Sequence, residues 1–141
     1  MEVTKTELAK TLAAFAHKGQ KDKAGRDYIN HPLAVSESLT EETEKTVALL
    51  HDILEDTFVT EETLRNLFGD EIADAVVSMT RIDGESYEDY IVRVGKNPIS
   101  LKVKLADLKH NMDLSRLSVV TEADEKRTEK YKKAESYLRS L

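Results

Sequence analysis

The nine residues Leu49-Leu50-His51-Asp52-Ile53-Leu54-Glu55-Asp56-Thr57 constrain the fold of this chain more than any other stretch. At about 3.6 residues per turn, His51 and Glu55 stand one turn apart, as do Asp52 and Asp56. The spacing predicts one continuous helix with these four polar groups on one face and Leu49, Leu50, Ile53 and Leu54 in the core. Carboxylates beside large aliphatics are costly to bury unless they are paired, protonated or metal-bound. A divalent cation is the simplest compensation. A solvated acidic face is the plain alternative, and the flanking aliphatics argue against full exposure.

Composition bounds what surrounds this helix. A length of 141 residues predicts a single domain, residues 1–141, with room for a real core. With 40% hydrophobic and 34% charged residues the chain has a globular balance, and no apolar run approaches the roughly 18 residues of a membrane span. No membrane partner is expected. Met1 to Lys10 carry acids and no apolar core of a secretory signal, so a cytoplasmic location is expected. The absence of cysteine rules out disulfides and thiolate metal sites. A net charge of −6 argues against nucleic acid as a partner, which calls for a clustered basic face.

In chain order, Thr6 is expected to cap a first helix with Leu8, Leu12 and Phe15 in period, reaching His17 and stopping at Gly19. Lys18 to Asn30 lacks apolar period and reads as a long loop, the kind that usually carries function. His31-Pro32 opens a short helix, with proline in the first turn. Thr40-Glu41-Glu42 then starts the central helix, and Thr60-Glu61-Glu62 repeats that signature for a helix that Gly69 stops. Asp70 is expected to cap the next, with Ile72, Ala75, Val76 and Met79 inward. Ser86 caps Tyr87 to Val94, Asn97-Pro98 starts a helix with Ile99, Val103, Leu105 and Leu108, and Thr121 with Asp124 caps a last one with Tyr131, Ala134, Leu138 and Leu141 inward. The expected fold is all-α, a bundle of about eight helices.

Potential metal ligands gather at His31, on the central helix, and at Asp107. Lys104, Asp107 and Asn111 fall at i, i+3 and i+7, one helical stripe. If these places converge, they supply two imidazoles and two carboxylates, a set suited to Mn²⁺, Fe²⁺ or Zn²⁺ with open positions for water. Spacing does not choose among these metals. His17 and His110 lie outside any tight polar cluster and read as surface or core-satisfied side chains.

The same residues resemble a known family. His31-Pro32, His51-Asp52-Ile53-Leu54-Glu55-Asp56-Thr57 and Val103-Lys104-Leu105-Ala106-Asp107 with His110-Asn111-Met112 look like the HD-domain hydrolases of the RelA/SpoT type, including the small alarmone hydrolases. His17-Lys18-Gly19-Gln20 and Gly25 through Tyr28 to His31-Pro32 resemble that family's first conserved block. The resemblance implies an all-α HD fold, Mn²⁺ held by His31, His51, Asp52 and Asp107, and removal of pyrophosphate from the 3′ position of (p)ppGpp. Glu55 and Asp56 match the family's catalytic acid pair.

There are departures. The family's Arg-Lys pair, whose arginine stacks on guanine, reads Asp22-Lys23; its Gly-Glu-Pro-Tyr turn reads Gly25-Arg26-Asp27-Tyr28; its Ala-Asp-Arg-Leu-His-Asn segment reads Ala106-Asp107-Leu108-Lys109-His110-Asn111. A weaker hold on guanine is expected. Glu55, one turn past His51, is the expected base, with Asp56 assisting. Lys23, Tyr28, Lys104 and Asn111 are the expected substrate contacts, meeting phosphate or ribose oxygens. The alternatives to (p)ppGpp hydrolysis are the same chemistry on another nucleotide, and a noncatalytic nucleotide- or protein-binding module on the same scaffold.

Overall fold

A computed structural model describes residues 3–141, with the side chain of Arg116 outside that description. Met1 and Glu2, part of the stretch read for a signal, lie outside the described residues. The chain forms α1 (Lys5–Ala16), α2 (Asn30–Glu37), α3 (Glu42–Leu50), α4 (Ile53–Asp56), α5 (Glu61–Phe68), α6 (Asp70–Ser78), α7 (Tyr87–Gly95), α8 (Pro98–Asn111), a 3₁₀ turn (Leu114–Arg116) and α9 (Glu122–Arg139). There is no strand among the described residues, only an isolated antiparallel bridge between Lys21 and Asp27. The fold is all-α, as expected, and α3 with α4 occupy the span of the single central helix that the spacing predicts.

α3 runs through the middle, packed on α1, α2, α6 and α8. Its Val47, Leu49 and Leu50, with Ile53 of α4, are fully buried with Val35, Leu64, Phe68, Val76 and Val103. A second cluster, Tyr90, Ile91, Val94, Leu108, Ala134 and Leu138, joins α7, α8 and α9. α8 is the seam between them, giving Val103 to the first cluster and Leu108 to the second.

Several helix ends differ from expectation. Thr4, not Thr6, caps α1 by accepting from the Glu7 amide at 3.0 Å, while the Thr6 hydroxyl is taken up by Glu42 and Thr46 on α3. α3 is preceded by extended Glu41 with no side-chain cap, one residue later than Thr40 predicts. Gly69, at φ 89°, both ends α5 and precedes α6, a left-handed backbone that suits glycine. Asp70 is therefore inside α6, and it accepts from Arg65 of α5 at 2.9 Å. Leu141, expected inward, is 61% exposed beyond the end of α9. The Ser86, Asn97 and Thr121 caps form as predicted, the last as a reciprocal capping box.

The largest difference lies at the centre. The predicted continuous helix stops at Leu50 and restarts at Ile53. The His51 amide reaches Ala48 O at 3.4 Å, a three-residue bond, and the His51 ring Nδ1 donates to the same carbonyl at 2.6 Å. Asp52 then takes φ −105° and ψ 1°, a sparsely occupied region common at functional sites. The four polar groups consequently do not share one helical face: His51 is buried, Asp52 half-buried, Glu55 and Asp56 exposed.

Leu50 leads directly into this break from within the core. Leu50→Ala is expected to cost about 2–5 kcal/mol, the range for a large-to-small change at a fully buried site. Urea unfolding followed by circular dichroism would read it, and a loss under about 1 kcal/mol would mean that the neighbours collapse into the gap.

Candidate metal centre and cleft

Asp107 of α8 sits at the bottom of the site, 3% exposed. Its Oδ1 lies 2.8 Å from His31 Nε2, 3.3 Å from His51 Nε2 and 3.1 Å from the donating Asn111 Nδ2, and its Oδ2 accepts from Lys104 Nζ at 2.9 Å. The i, i+3, i+7 stripe on α8 thus becomes a carboxylate with its own two donors. Burial opposes ionisation of Asp107, but Lys104 and His51 outweigh it and hold its pKa well below the usual carboxylate range.

His31 comes from the first turn of α2, where the preceding loop and Pro32 aim it inward. Its Nδ1 is 2.7 Å from His110 Nδ1, so one of the two nitrogens must carry the proton between them. If His31 donates, its Nε2 faces Asp107 with a free lone pair. For His51 the tautomer is settled by the carbonyl: Nδ1 donates to Ala48 O, which assigns Nε2 as the acceptor nitrogen of the neutral ring.

His51 Nε2 is closed off from solvent, 3.0 Å from Asp52 Oδ2, yet no contact to it has hydrogen-bond geometry. An orphaned nitrogen between carboxylates is a poor arrangement without a cation. Burial disfavours a charged His51 ring, but Asp52 and Asp107 prevail and raise its pKa well above the ordinary value. Asp52, which burial alone would raise, is held at about 2 by His51. The cluster therefore draws positive charge to itself, and a divalent cation can supply it while the ring gives up its proton. HD domains bind divalent metals, and His31, His51 and Asp52 offer ligand atoms that all lie within 4.8 Å of one another. The donor set fits a metal of borderline hardness.

The Tyr28 hydroxyl donates to Asp52 Oδ2, and its ring lies against His17 and His31. Burial and the Asp52 charge both raise its pKa, so it remains a donor. Asp52, Glu55 and Asp56 form a second group within 4.8 Å. Glu55 Oε1 accepts from the Arg81 backbone amide at 2.9 Å. The Asp56 pKa is raised, first by burial, then by the charges of Asp52 and Glu55.

These groups line a cleft of about 500 Å³ that also takes in Lys23, Lys104 and Asn111. Nine of the ten residues singled out from the sequence line this cleft and the tenth, His51, lies 3.3 Å from Asp107; Lys104, Asn111 and Tyr28 also serve Asp107 and Asp52 directly. Sequence reading missed part of the lining. There Arg81, Arg127 and Lys130 stand beside Tyr87, Tyr90 and Tyr131, with Lys130 Nζ 4.2 Å from the Tyr87 ring centre. Arg81 lies in the connection between α6 and α7, and Arg127 and Lys130 lie in a helix so rich in charge that nothing local marks them. Burial first, and then the cations Arg81, Lys104 and Arg127, lower the Lys130 pKa.

The HD domain family matches residues 9–135, and the chain belongs to that family. Among its relatives, the GTP pyrophosphokinase of Streptomyces coelicolor is 39% identical over 119 residues, covering 75% of this chain and 14% of its own length. The bifunctional (p)ppGpp synthase/hydrolase SpoT of Escherichia coli K12 is 32% identical over 127 residues, 79% of this chain and 18% of its own. The chain thus spans less than a fifth of the length of these two relatives. A solved structure of a metazoan ortholog of SpoT, described as hydrolysing ppGpp and playing a role in starvation responses, superposes with a TM-score of 0.79 at 26% identity, over 98% of this chain and 86% of its own.

If His51 is a ligand, His51→Ala leaves three oxygen and nitrogen donors in place of four and should strip the metal. Elemental analysis of the folded variant is expected to show less than a tenth of the wild-type content, on the order of the 10–100-fold affinity effects of metal-site changes. Stoichiometric metal in that variant would remove His51 from the ligand set.

Proposed function

We propose that this chain is an HD hydrolase domain that removes the 3′-pyrophosphate of (p)ppGpp, with Mn²⁺ held by His31, His51, Asp52 and Asp107. The observation that carries the reading is the meeting of these ligands at a cleft that also takes in the acid pair Glu55 and Asp56 and the cations Lys23, Arg81, Arg127 and Lys130. The likeness to the metazoan SpoT ortholog over 86% of that chain supports it. A cytoplasmic setting suits such a substrate; among the described residues no helix is long and apolar enough to cross a membrane.

His31, His51, Asp52 and Asp107 would hold the divalent cation, which when bound would lower the pKa of a water and polarise a phosphoryl oxygen. The protein supplies the rest. Glu55, anchored through Oε1 by the Arg81 amide, orients the attacking water and takes its proton. Asp56, on the same turn, assists at the departing ribose 3′-oxygen. Lys104 neutralises Asp107 and stands 5.1 Å from the Tyr90 ring centre, facing the cleft where phosphate oxygens arrive. Lys23, Asn111, Arg127 and Lys130 complete a cationic and polar rim for the remaining phosphates and the ribose.

Pyrophosphate release from (p)ppGpp with Mn²⁺ is the direct test, and a protein that releases none while hydrolysing another nucleotide would shift the substrate. Asp22 keeps that second reading in view. Where the RelA/SpoT resemblance puts a guanine-stacking arginine, Asp22 Oδ1 instead accepts from the Ala24 and Arg26 amides, both at 2.9 Å. It shapes its own loop. Asp22→Arg should raise kcat/KM for (p)ppGpp relative to adenine nucleotides, since base stacking is worth about 1–3 kcal/mol. No gain from a wild type already selective for guanine would mean that another wall reads the base.

Glu55→Gln preserves shape and removes the base. Turnover is expected to fall by roughly 10²-fold or more while metal content stays at the wild-type level. Equal turnover by the two proteins would take Glu55 out of the chemistry.

A further inference from the structure

Glu55 and Asp56 ride on α4, a helix of only four residues. One turn cannot hold itself in water, so its geometry must come from outside contacts. Within the turn, the Thr57 hydroxyl donates to Ile53 O at 2.7 Å, and the Arg81 amide anchors Glu55. At the Asp56 backbone, the external contact is Gln20, whose Nε2 donates to Asp56 O at 3.0 Å. Gln20 belongs to the long loop after α1 and is far from Asp56 in sequence.

Gln20 is itself held. Its Oε1 lies 2.9 Å from His17 Nδ1, its amide donates to His17 O at 3.0 Å, and its carbonyl accepts from Tyr28 N at 2.9 Å. Because Asp56 O can only accept, the Gln20 amide must present Nε2 to it and Oε1 to His17. His17 Nδ1 must then carry the proton. That leaves His17 Nε2 as a buried acceptor, and it has no hydrogen-bond partner among the described residues. The ring is 2% exposed and sits outside the metal cluster. A buried imidazole with one nitrogen orphaned is a poor choice for packing alone, so its value here is the Nδ1 donor.

We propose that His17 and Gln20 form a positioning relay that fixes the C-terminal end of α4, and with it the carboxyl group of Asp56, over the metal cluster. His17 holds the amide of Gln20 in one orientation, and Gln20 holds the Asp56 carbonyl. Neither residue touches the reacting atoms.

The kinetic half of the test rests on the hydrolase reading above; the structural half does not. In Gln20→Leu and His17→Leu, kcat for pyrophosphate release is expected to fall about tenfold or more, in line with the cost of small misplacements, with KM within about twofold and metal content unchanged. The double variant should be no slower than either single one, because both remove the same link. His17→Asn, which returns a donor near the Nδ1 position, should restore most of kcat. Hydrogen–deuterium exchange of the metal-loaded protein provides the second readout: amides of residues 53–57 should exchange faster in Gln20→Leu and His17→Leu, and at the wild-type rate in His17→Asn, with α3 and α8 unaltered. Wild-type exchange across 53–57 in Gln20→Leu overturns the relay, as does a loss of kcat that His17→Asn fails to restore. A wild-type protein that releases no pyrophosphate sinks the hydrolase reading instead, and the exchange rates still decide the relay.

Discussion

A carboxylate sealed inside a helical core is the constraint on which the rest of this structure turns. Desolvating Asp107 is expensive, and nothing apolar around it repays the cost. It is tolerated because α8 brings Lys104 and Asn111 to it from its own surface, while α2 and the end of α3 bring His31 and His51. The Lys104 ammonium, which burial would discharge, is kept charged chiefly by Asp107, so the two ions stand or fall together. Removing either alone would strand the other. The helix packing follows from the same demand: α3 and α8 must pass close enough for a His51 ring to reach Asp107, and they do so against shared apolar residues, Val47, Leu50 and Val103.

That demand also accounts for the break at His51 and Asp52. In an unbroken helix, consecutive side chains diverge by about 100°, so neighbouring His51 and Asp52 could not both lean over the same point. Ending α3 with a ring-to-carbonyl bond and turning the backbone at Asp52 brings the two side chains to within 3.0 Å. The helix gives up regular bonding for one turn and gains a convergent pair. It then restarts for a single turn, which is long enough to display Glu55 and Asp56 and too short to stand without help.

Much of this was legible in the residue order, because apolar period and cap residues are local signals. Ser86, Asn97 and Thr121 mark helix starts through side-chain bonds within three residues, and Leu49, Leu50 and Ile53 are core because no polar environment suits them. The break was not legible. It depends on a tertiary requirement, the reach of His51 toward Asp107, and a period of about 3.6 residues runs through His51-Asp52 without a glycine or proline to flag it. Leu108 shows the same limit from the other side. Read against a family motif it is a missing cation; in the structure it is fully buried with Tyr90, Ile91, Val94 and Leu138, so a charge there would have no place to go. Its substitution concerns packing, and leaves the cleft as it was.

Charge distribution completes the case for an anionic ligand. A chain with net charge −6 should repel polyphosphate at long range, yet the cleft gathers Arg81, Lys104, Arg127 and Lys130. Lys104 is held by Asp107 and Arg127 is paired with Asp124, and the Lys130 pKa is lowered first by burial and then by Arg81, Lys104 and Arg127. Cations gathered in a cleft favour an arriving anion. The same cleft carries Asp52, Glu55 and Asp56, which would repel that anion unless a cation stood between. In the proposed reaction a polyphosphate would set its outer phosphates against the cations Arg81, Arg127 and Lys130, with the phosphorus to be attacked within reach of His31, His51, Asp52 and Asp107 and of the acid pair.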